Sequence, residues 1–340
     1  MKYSQINLVP PFYEGEVLVS ADDLRRMPEV DREAMIPSLA SALRQHMEHH
    51  GFPLPPLPCS LREAVQALRD GKRTKASLYL KAVFPSYWSA GDGPAVSFLR
   101  PGVLEKALRY RVGLNSTGEV FDVTLAEMRR TAEVQRRTVS FFSPRKAYRI
   151  YRKLLAGKDR PLVWDPSGGF GGRLLGFQAA FPQGWYFANE PAKATHSDLE
   201  RLSRYFGNCS IERSGSEKGH PSGIEPKALD LVFTSPPYFD KERYFDEPGQ
   251  CWRDFPREEA WVENYVLPTL AYARTYLKPT AHLSLVVDNI DLWHKAARSQ
   301  GFVLLDSAPL EARKDHFIRA ASPTASGAKE YFAVWRLKNA

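Results

Sequence analysis

From about residue 138 the sequence alternates short apolar runs with longer helical patterns, and this alternation constrains the fold more than any other feature. Residues 161–165 (Pro-Leu-Val-Trp-Asp), 185–188, 229–234 (Leu-Asp-Leu-Val-Phe-Thr), 282–287, 302–306 and 331–336 read as strands. Residues 172–180, 192–206, 261–276 and 292–300 read as helices. Strands that alternate with helices imply an α/β fold with a mostly parallel sheet and helices on both faces, because parallel neighbours need a crossover connection. In such sheets a ligand binds beyond the carboxyl ends of the strands. Those loops are therefore the place to look for chemistry.

Residues 1–130 read differently. A helical pattern over 22–50 has Ser20 as its cap and a kink expected at Pro28 or Pro37. Residues 51–58 are Pro-rich and extended. Residues 60–70 fit a short amphipathic helix, with Ser60 and Glu63 forming a capping box. The expected division is a mainly helical region 1–130, with a recognition or docking role, followed by a catalytic domain 131–340.

Bulk properties narrow the class. The chain has 340 residues, and its formal charge of +8 is compatible with a polyanionic partner, since each phosphate contact needs a Lys or Arg. The three cysteines, Cys59, Cys209 and Cys251, lie far apart, so neither a disulfide framework nor a structural zinc site is expected. His46, His49 and His50 lack His-Glu-x-x-His spacing and read as a solvated helix end. No metal is expected. No stretch has the length and apolarity of a membrane span, and the first residues lack a signal-peptide pattern. The expected location is the cytoplasm.

Two strand ends carry candidate sites. The first, Asp165-Pro166-Ser167-Gly168-Gly169-Phe170-Gly171-Gly172-Arg173, leaves one strand and opens a helix. Four glycines let the backbone turn sharply and approach a ligand closely. The spacing matches neither Gly-x-Gly-x-x-Gly nor a phosphate-binding loop. Asp165 suits a ligand with a cationic amino group, and Glu190, ending the next strand, suits ribose hydroxyls. The second site is Thr234-Ser235-Pro236-Pro237-Tyr238. Its prolines stiffen the strand exit and remove two donors, leaving carbonyls free to accept. Ser235 followed by the rigid Pro236 carbonyl offers two acceptors suited to an –NH2 group, and Tyr238 offers a flat face for stacking.

Together, Asp165-Pro166-x-x-Gly169-x-Gly171 and Ser235-Pro236-Pro237-Tyr238 resemble the cofactor and catalytic motifs of the DNA amino-methyltransferases. Phe142-Ser143-Pro144 resembles that family's further motif upstream, and the resemblance covers roughly residues 138–338. Ser167 stands where the family usually has Phe. The resemblance implies a Rossmann-like methyltransferase fold and S-adenosylmethionine as cofactor. It implies that Phe142, Ser143, Pro144, Asp165, Pro166, Ser167, Gly169, Gly171 and Glu190 bind this cofactor. Ser235, Pro236, Pro237 and Tyr238 would then be catalytic and act on a base flipped out of DNA. The Ser form of the motif points to cytosine N4. Adenine N6, an RNA amino group, and a catalytically silent nucleic-acid-binding protein stay open as alternatives. For nucleic-acid contact the expected residues are Arg243, Tyr244 and Arg253, just past the catalytic motif, and Arg313, Lys314 and Arg319 in a later basic loop.

Overall fold

The computed structural model describes residues 8–9, 17–72, 75–91, 93, 95–96, 100, 102–115, 118–124, 126–128, 142–310 and 330–338. They divide into two compact units, Met1–Pro58 with Lys81–Ser140, and Cys59–Leu80 with Phe141–Ala340.

The first unit is mainly helical. Ser20 caps Ala21–Arg26 by accepting from the Asp23 N–H, and the chain breaks at Pro28 before the long helix Glu29–His50. Pro37 lies inside that helix, so of the two expected kink points it is Pro28 that interrupts the helix. Ile36, Ala40, Leu43 and Met47 recur at helical spacing and are buried. Val103–Arg111 buries Leu104, Ala107 and Leu108. Ion pairs from Arg44 to Glu105 and from Arg109 to Glu33 join the two helices at their edges. Val17–Val19 pairs antiparallel with Val123–Thr124, and Leu8–Val9 pairs parallel with Phe52–Pro53.

The second unit is built on a seven-stranded sheet. Its strands are β1 (Leu162–Asp165), β2 (Trp185–Asn189), β3 (Cys209–Glu212), β4 (Leu229–Thr234), β5 (Leu277–Val287), β6 (Phe302–Pro309) and β7 (Tyr331–Leu337). The spatial order is β3-β2-β1-β4-β5-β7-β6. All neighbours are parallel except β7, which runs antiparallel between β5 and β6. This is a Rossmann-like, doubly wound α/β fold with one antiparallel strand. β3 was not expected from the sequence; Cys-Ser-Ile-Glu is short and only partly buried, so its apolar pattern is weak.

Alternation along the strands sends side chains to two covered faces. Val163, Tyr186 and Phe233 face α1 (Pro144–Leu154) and α2 (Gly172–Ala180), where Tyr151 meets the Phe233 ring edge-on and Phe177 makes a tilted contact with Tyr186. Trp164, Phe187 and Val232 face the other core, filled by Trp261, Val266, Leu270, Trp293 and Ala297. The helix α3 (Lys193–Arg204) follows β2, while α4 (Leu267–Tyr276) and α5 (Ile290–Ser299) serve the second core. The helix expected over 261–276 is interrupted by a π-helical turn, Val262–Val266.

One N-terminal element belongs to this second unit. In Leu61–Arg69 the Ser60 and Glu63 capping box forms with reciprocal bonds of 3.3 and 2.8 Å. Arg69 Nε donates to the Ala179 carbonyl at 3.0 Å, which fixes this helix on the end of α2. A cut at residue 130 would strip that cover from the unit.

Candidate active site

The chain runs β1, β2, β3 outward in one direction, then returns to place β4 on the opposite side of β1. In open sheets of this kind the ligand crevice is expected at the carboxyl ends where the strand order reverses. β1 and β4 are hydrogen-bonded neighbours, with Trp164 opposite Val232. Their exits, at Asp165 and Thr234, therefore leave the sheet side by side. The glycine turn and Ser235-Pro236-Pro237-Tyr238 meet there although about 65 residues separate them in sequence.

The turn is held from beneath. Asp165 is fully buried. Its Oδ2 accepts from Arg173 Nε at 2.7 Å and from the Tyr186 hydroxyl, and its Oδ1 accepts from the Ser167 N–H at 3.2 Å. Arg173 also donates to the Ser167 carbonyl and lies 5.5 Å from the Phe142 ring centroid. Burial alone would lower the Arg173 pKa, but the Asp165 charge outweighs it and holds the guanidinium firmly cationic. The sequence reading assigns Asp165 to a ligand's amino group; the structure places its carboxylate under the turn, engaged with protein donors. Arg173 is a site residue that the sequence reading passed over. Its signal was available: it is the one charged residue in α2, and a cation in a first helical turn opposes the helix dipole unless it is paired.

Pro166 continues the turn, and Ser167 Oγ lies 3.1 Å from the Tyr265 hydroxyl, which the π-helical turn carries into place. Gly169 and Gly171 adopt φ of 55° and 75°, the left-handed region where a Cβ is strained. Gly172 is required for a different reason. A Cβ there would meet the Phe142 carbonyl oxygen at 1.8 Å. This close approach brings Phe142-Ser143-Pro144 against the turn. Ser143 caps α1 by accepting from the Lys146 N–H, and Pro144 takes the first helical position.

β2 ends in Asn189-Glu190. Asn189 is used internally: its Oδ1 accepts from Trp164 Nε1 at 2.8 Å, and its amide nitrogen donates to Ser214 and Gly219. Glu190 reaches the turn, accepting from the Gly169 N–H at 2.9 Å and the Ala192 N–H at 2.9 Å. Burial pushes its carboxyl up to about 7, against the pull of those two N–H groups. Thr234 Oγ1, buried at the end of β4, has no hydrogen-bond partner among the described residues. An acceptor carboxylate beside a glycine-rich turn, with an unsatisfied hydroxyl at the end of a central strand, fits a ligand that carries hydroxyl and amino groups.

Beyond β4, Ser235 Oγ lies 3.3 Å from the Tyr238 hydroxyl, which donates to Glu330 Oε1 at 2.9 Å. Pro236 is buried and Pro237 half-buried. Burial, with Glu330 adding to it, pushes the Tyr238 hydroxyl far above the ordinary tyrosine range, so it stays protonated. Glu330, directly before β7, is a second residue the sequence reading missed; nothing local marks it.

The segment after the motif folds over the glycine turn. Tyr244 lies 5.7 Å from Phe170, and its hydroxyl donates to Glu242 at 2.6 Å. Arg243 is exposed, beside Asp240 and 5.5 Å from the Trp252 ring; Arg253 is exposed and pairs with Asp246 at 3.0 Å. Such exposed pairs are weak and can exchange an acid for a phosphate. Arg313, Lys314 and Arg319 lie outside the described residues.

Among the described residues no three His, Cys, Asp or Glu gather as a metal-binding group. Burial pushes the Cys209 thiol up to about 12 and the Cys251 thiol higher, so neither is poised as a thiolate nucleophile. Among the described residues no helix is long and apolar enough to cross a membrane.

No family model matches the chain, and no curated protein matches it. Among solved structures it is similar to TrmN from Thermus thermophilus, at 16% identity over 57% of this chain and 48% of that one, with a TM-score of 0.41. It is similar to a TehB-like SAM-dependent methyltransferase from Corynebacterium glutamicum, at 12% identity over 57% and 88% of the two chains, with a TM-score of 0.38. A SAM-dependent O-methyltransferase from Thermotoga maritima gives 12% identity, 61% and 70% coverage and a TM-score of 0.36. The chain spans about half the length of TrmN. At these identities and scores the similarity says nothing about substrate.

Proposed function

We propose that this protein transfers a methyl group from S-adenosylmethionine to an exocyclic amino group of a nucleic-acid base, with cytosine N4 in DNA as the acceptor. The observation that carries this reading is the adjacency of the glycine turn, with Glu190, and of Ser235-Pro236-Pro237-Tyr238 at neighbouring strand ends. One loop suits the cofactor and the other an amine, and the sheet brings them together.

S-adenosylmethionine, when bound, supplies a methyl group already activated on a sulfonium. Glu190 would accept hydrogen bonds from its ribose hydroxyls, and the turn from Ser167 to Gly171 would let the backbone close on it. Phe142, Ser143 and Pro144 would back that turn. Ser235 Oγ and the Pro236 carbonyl would each accept one hydrogen of the target amine. With both hydrogens held, the nitrogen lone pair faces away from the two acceptors, which stabilise the developing positive charge on nitrogen, and after transfer one of the two protons leaves to water. Tyr238 would lie along the base. A base inside a duplex cannot reach this crevice, so it must be flipped out. Arg243 and Arg253 would exchange their acidic partners for backbone phosphate, in keeping with the charge of +8. The first unit would serve recognition or docking.

The test is transfer of labelled methyl groups to DNA and RNA, followed by nucleoside identification. N4-methyldeoxycytidine is the expected product. Ser235→Ala should lower turnover by about 100-fold or more with cofactor affinity unchanged. N6-methyladenine would change the base and keep the mechanism; label in RNA alone would change the substrate. Cofactor binding with no transfer to any nucleic acid would refute the proposal.

A further inference from the structure

A serine hydroxyl can donate or accept, so Ser235 alone does not distinguish an –NH2 group from a carbonyl. Its neighbours do. An ionised carboxylate only accepts, and the Tyr238 hydroxyl has a single hydrogen. That hydrogen goes to Glu330 Oε1 at 2.9 Å. Tyr238 oxygen, 3.3 Å from Ser235 Oγ, is then left only as an acceptor, so within this contact Ser235 is the donor. Ser235 is left with lone pairs for whatever enters the crevice. Pro236, with no N–H, likewise offers only its carbonyl.

We propose that Glu330, acting through Tyr238, fixes Ser235 as a hydrogen-bond acceptor and so makes the site select a base with an amino group over one with a carbonyl at the same position. The inference rests on the substrate-holding role proposed for Ser235. Glu330 is a positioning residue: it touches Tyr238 and not the base. Its place supports this role, since it sits at the start of β7, the antiparallel strand that returns to lie against β5, 92 residues from Tyr238. A second carboxylate close by, Glu242, accepts from the Tyr244 hydroxyl and from the Tyr238 backbone N–H but not from the Tyr238 hydroxyl, so it lies outside the side-chain relay from Ser235. It provides the control for a general effect of negative charge.

Deoxycytidine and deoxyuridine differ at this position as amine and carbonyl. Their binding is compared by saturation-transfer NMR, with the demethylated cofactor S-adenosylhomocysteine present, so no turnover is needed. The intact protein should prefer deoxycytidine by about tenfold, the size expected of one mismatched buried hydrogen bond. Tyr238→Phe keeps the ring, Glu330→Ala removes the acceptor, and each should bring the preference within about twofold of parity. Glu242→Gln should keep it. Melting curves check that each variant folds, and Tyr238→Phe alone tests the link if Glu330→Ala does not fold. The inference is overturned if the intact protein shows no preference, if Tyr238→Phe retains it, or if Glu242→Gln erases it equally. Loss of discrimination in the two variants, in a protein that methylates no nucleic acid, would support the inference and refute the proposed reaction.

Discussion

Replacing Arg173 with methionine removes the cation from a pair whose side chains are 6% and 0% exposed. The Asp165 carboxylate would keep the Tyr186 hydroxyl and the Ser167 N–H but lose its counter-charge. The Ser167 carbonyl would lose its Arg173 donor as well. Breaking a buried ion pair from one side costs about 3–5 kcal/mol, because the remaining charge has no water to return to. For a unit of this size each kcal/mol shifts the melting temperature by about 2–4 °C, so a fall of roughly 6–20 °C is expected. Asp165→Asn with Arg173→Met removes both charges and keeps the shapes, and it should recover most of that loss. Urea unfolding of the two single variants and the double variant, followed by circular dichroism, gives the coupling energy. A coupling of about 2 kcal/mol or more is expected. If Arg173→Met costs less than about 1 kcal/mol, or if the single effects add within about 0.5 kcal/mol, the pair does not hold the turn from beneath and the reasoning fails.

Glu190 yields a pH prediction. Its folded pKa, about 7, lies above the ordinary 4.5, so the folded state holds this proton more tightly and loses stability as pH rises from about 4.5 to 7. Glu190→Gln should flatten that slope in pH-dependent melting. By the same argument, S-adenosylmethionine affinity measured by calorimetry should rise with pH up to about 7 in the intact protein and lose this dependence in the variant; a pH-independent affinity would remove Glu190 from the ribose-binding role. Gly172→Ala forces a Cβ against the Phe142 carbonyl at 1.8 Å, which backbone atoms cannot absorb, so stability should fall by about 2 kcal/mol or more. An unperturbed melting curve would show that the approach of residue 142 to the turn is not tight.

Much of this architecture was written locally. The strand 229–234 and the helix 172–180 coincide with the observed elements, because a fully buried strand is a continuous apolar run and a helix after a glycine turn has a sharp start. Ser60 and Glu63 announce a capping box three residues apart, and the structure forms it. The glycine turn and the Ser-Pro-Pro-Tyr exit were legible for the same reason: each is a short stretch whose residue types have few other uses. Interactions between distant segments were not legible. That Leu61–Arg69 joins the second unit depends on contacts such as Arg69 reaching a carbonyl 110 residues away. That Asp165 is spent on Arg173 and Tyr186, rather than facing outward, depends on which sheet face each strand residue occupies and how deep it lies. Glu330 became part of the site only when an antiparallel β7 was laid beside β5, which brought a carboxylate to Tyr238 from 92 residues away. Local sequence specifies turns, caps and periodicity, which need only neighbouring residues. The partners of buried polar groups are chosen by strand order and register, which exist only once the sheet has closed.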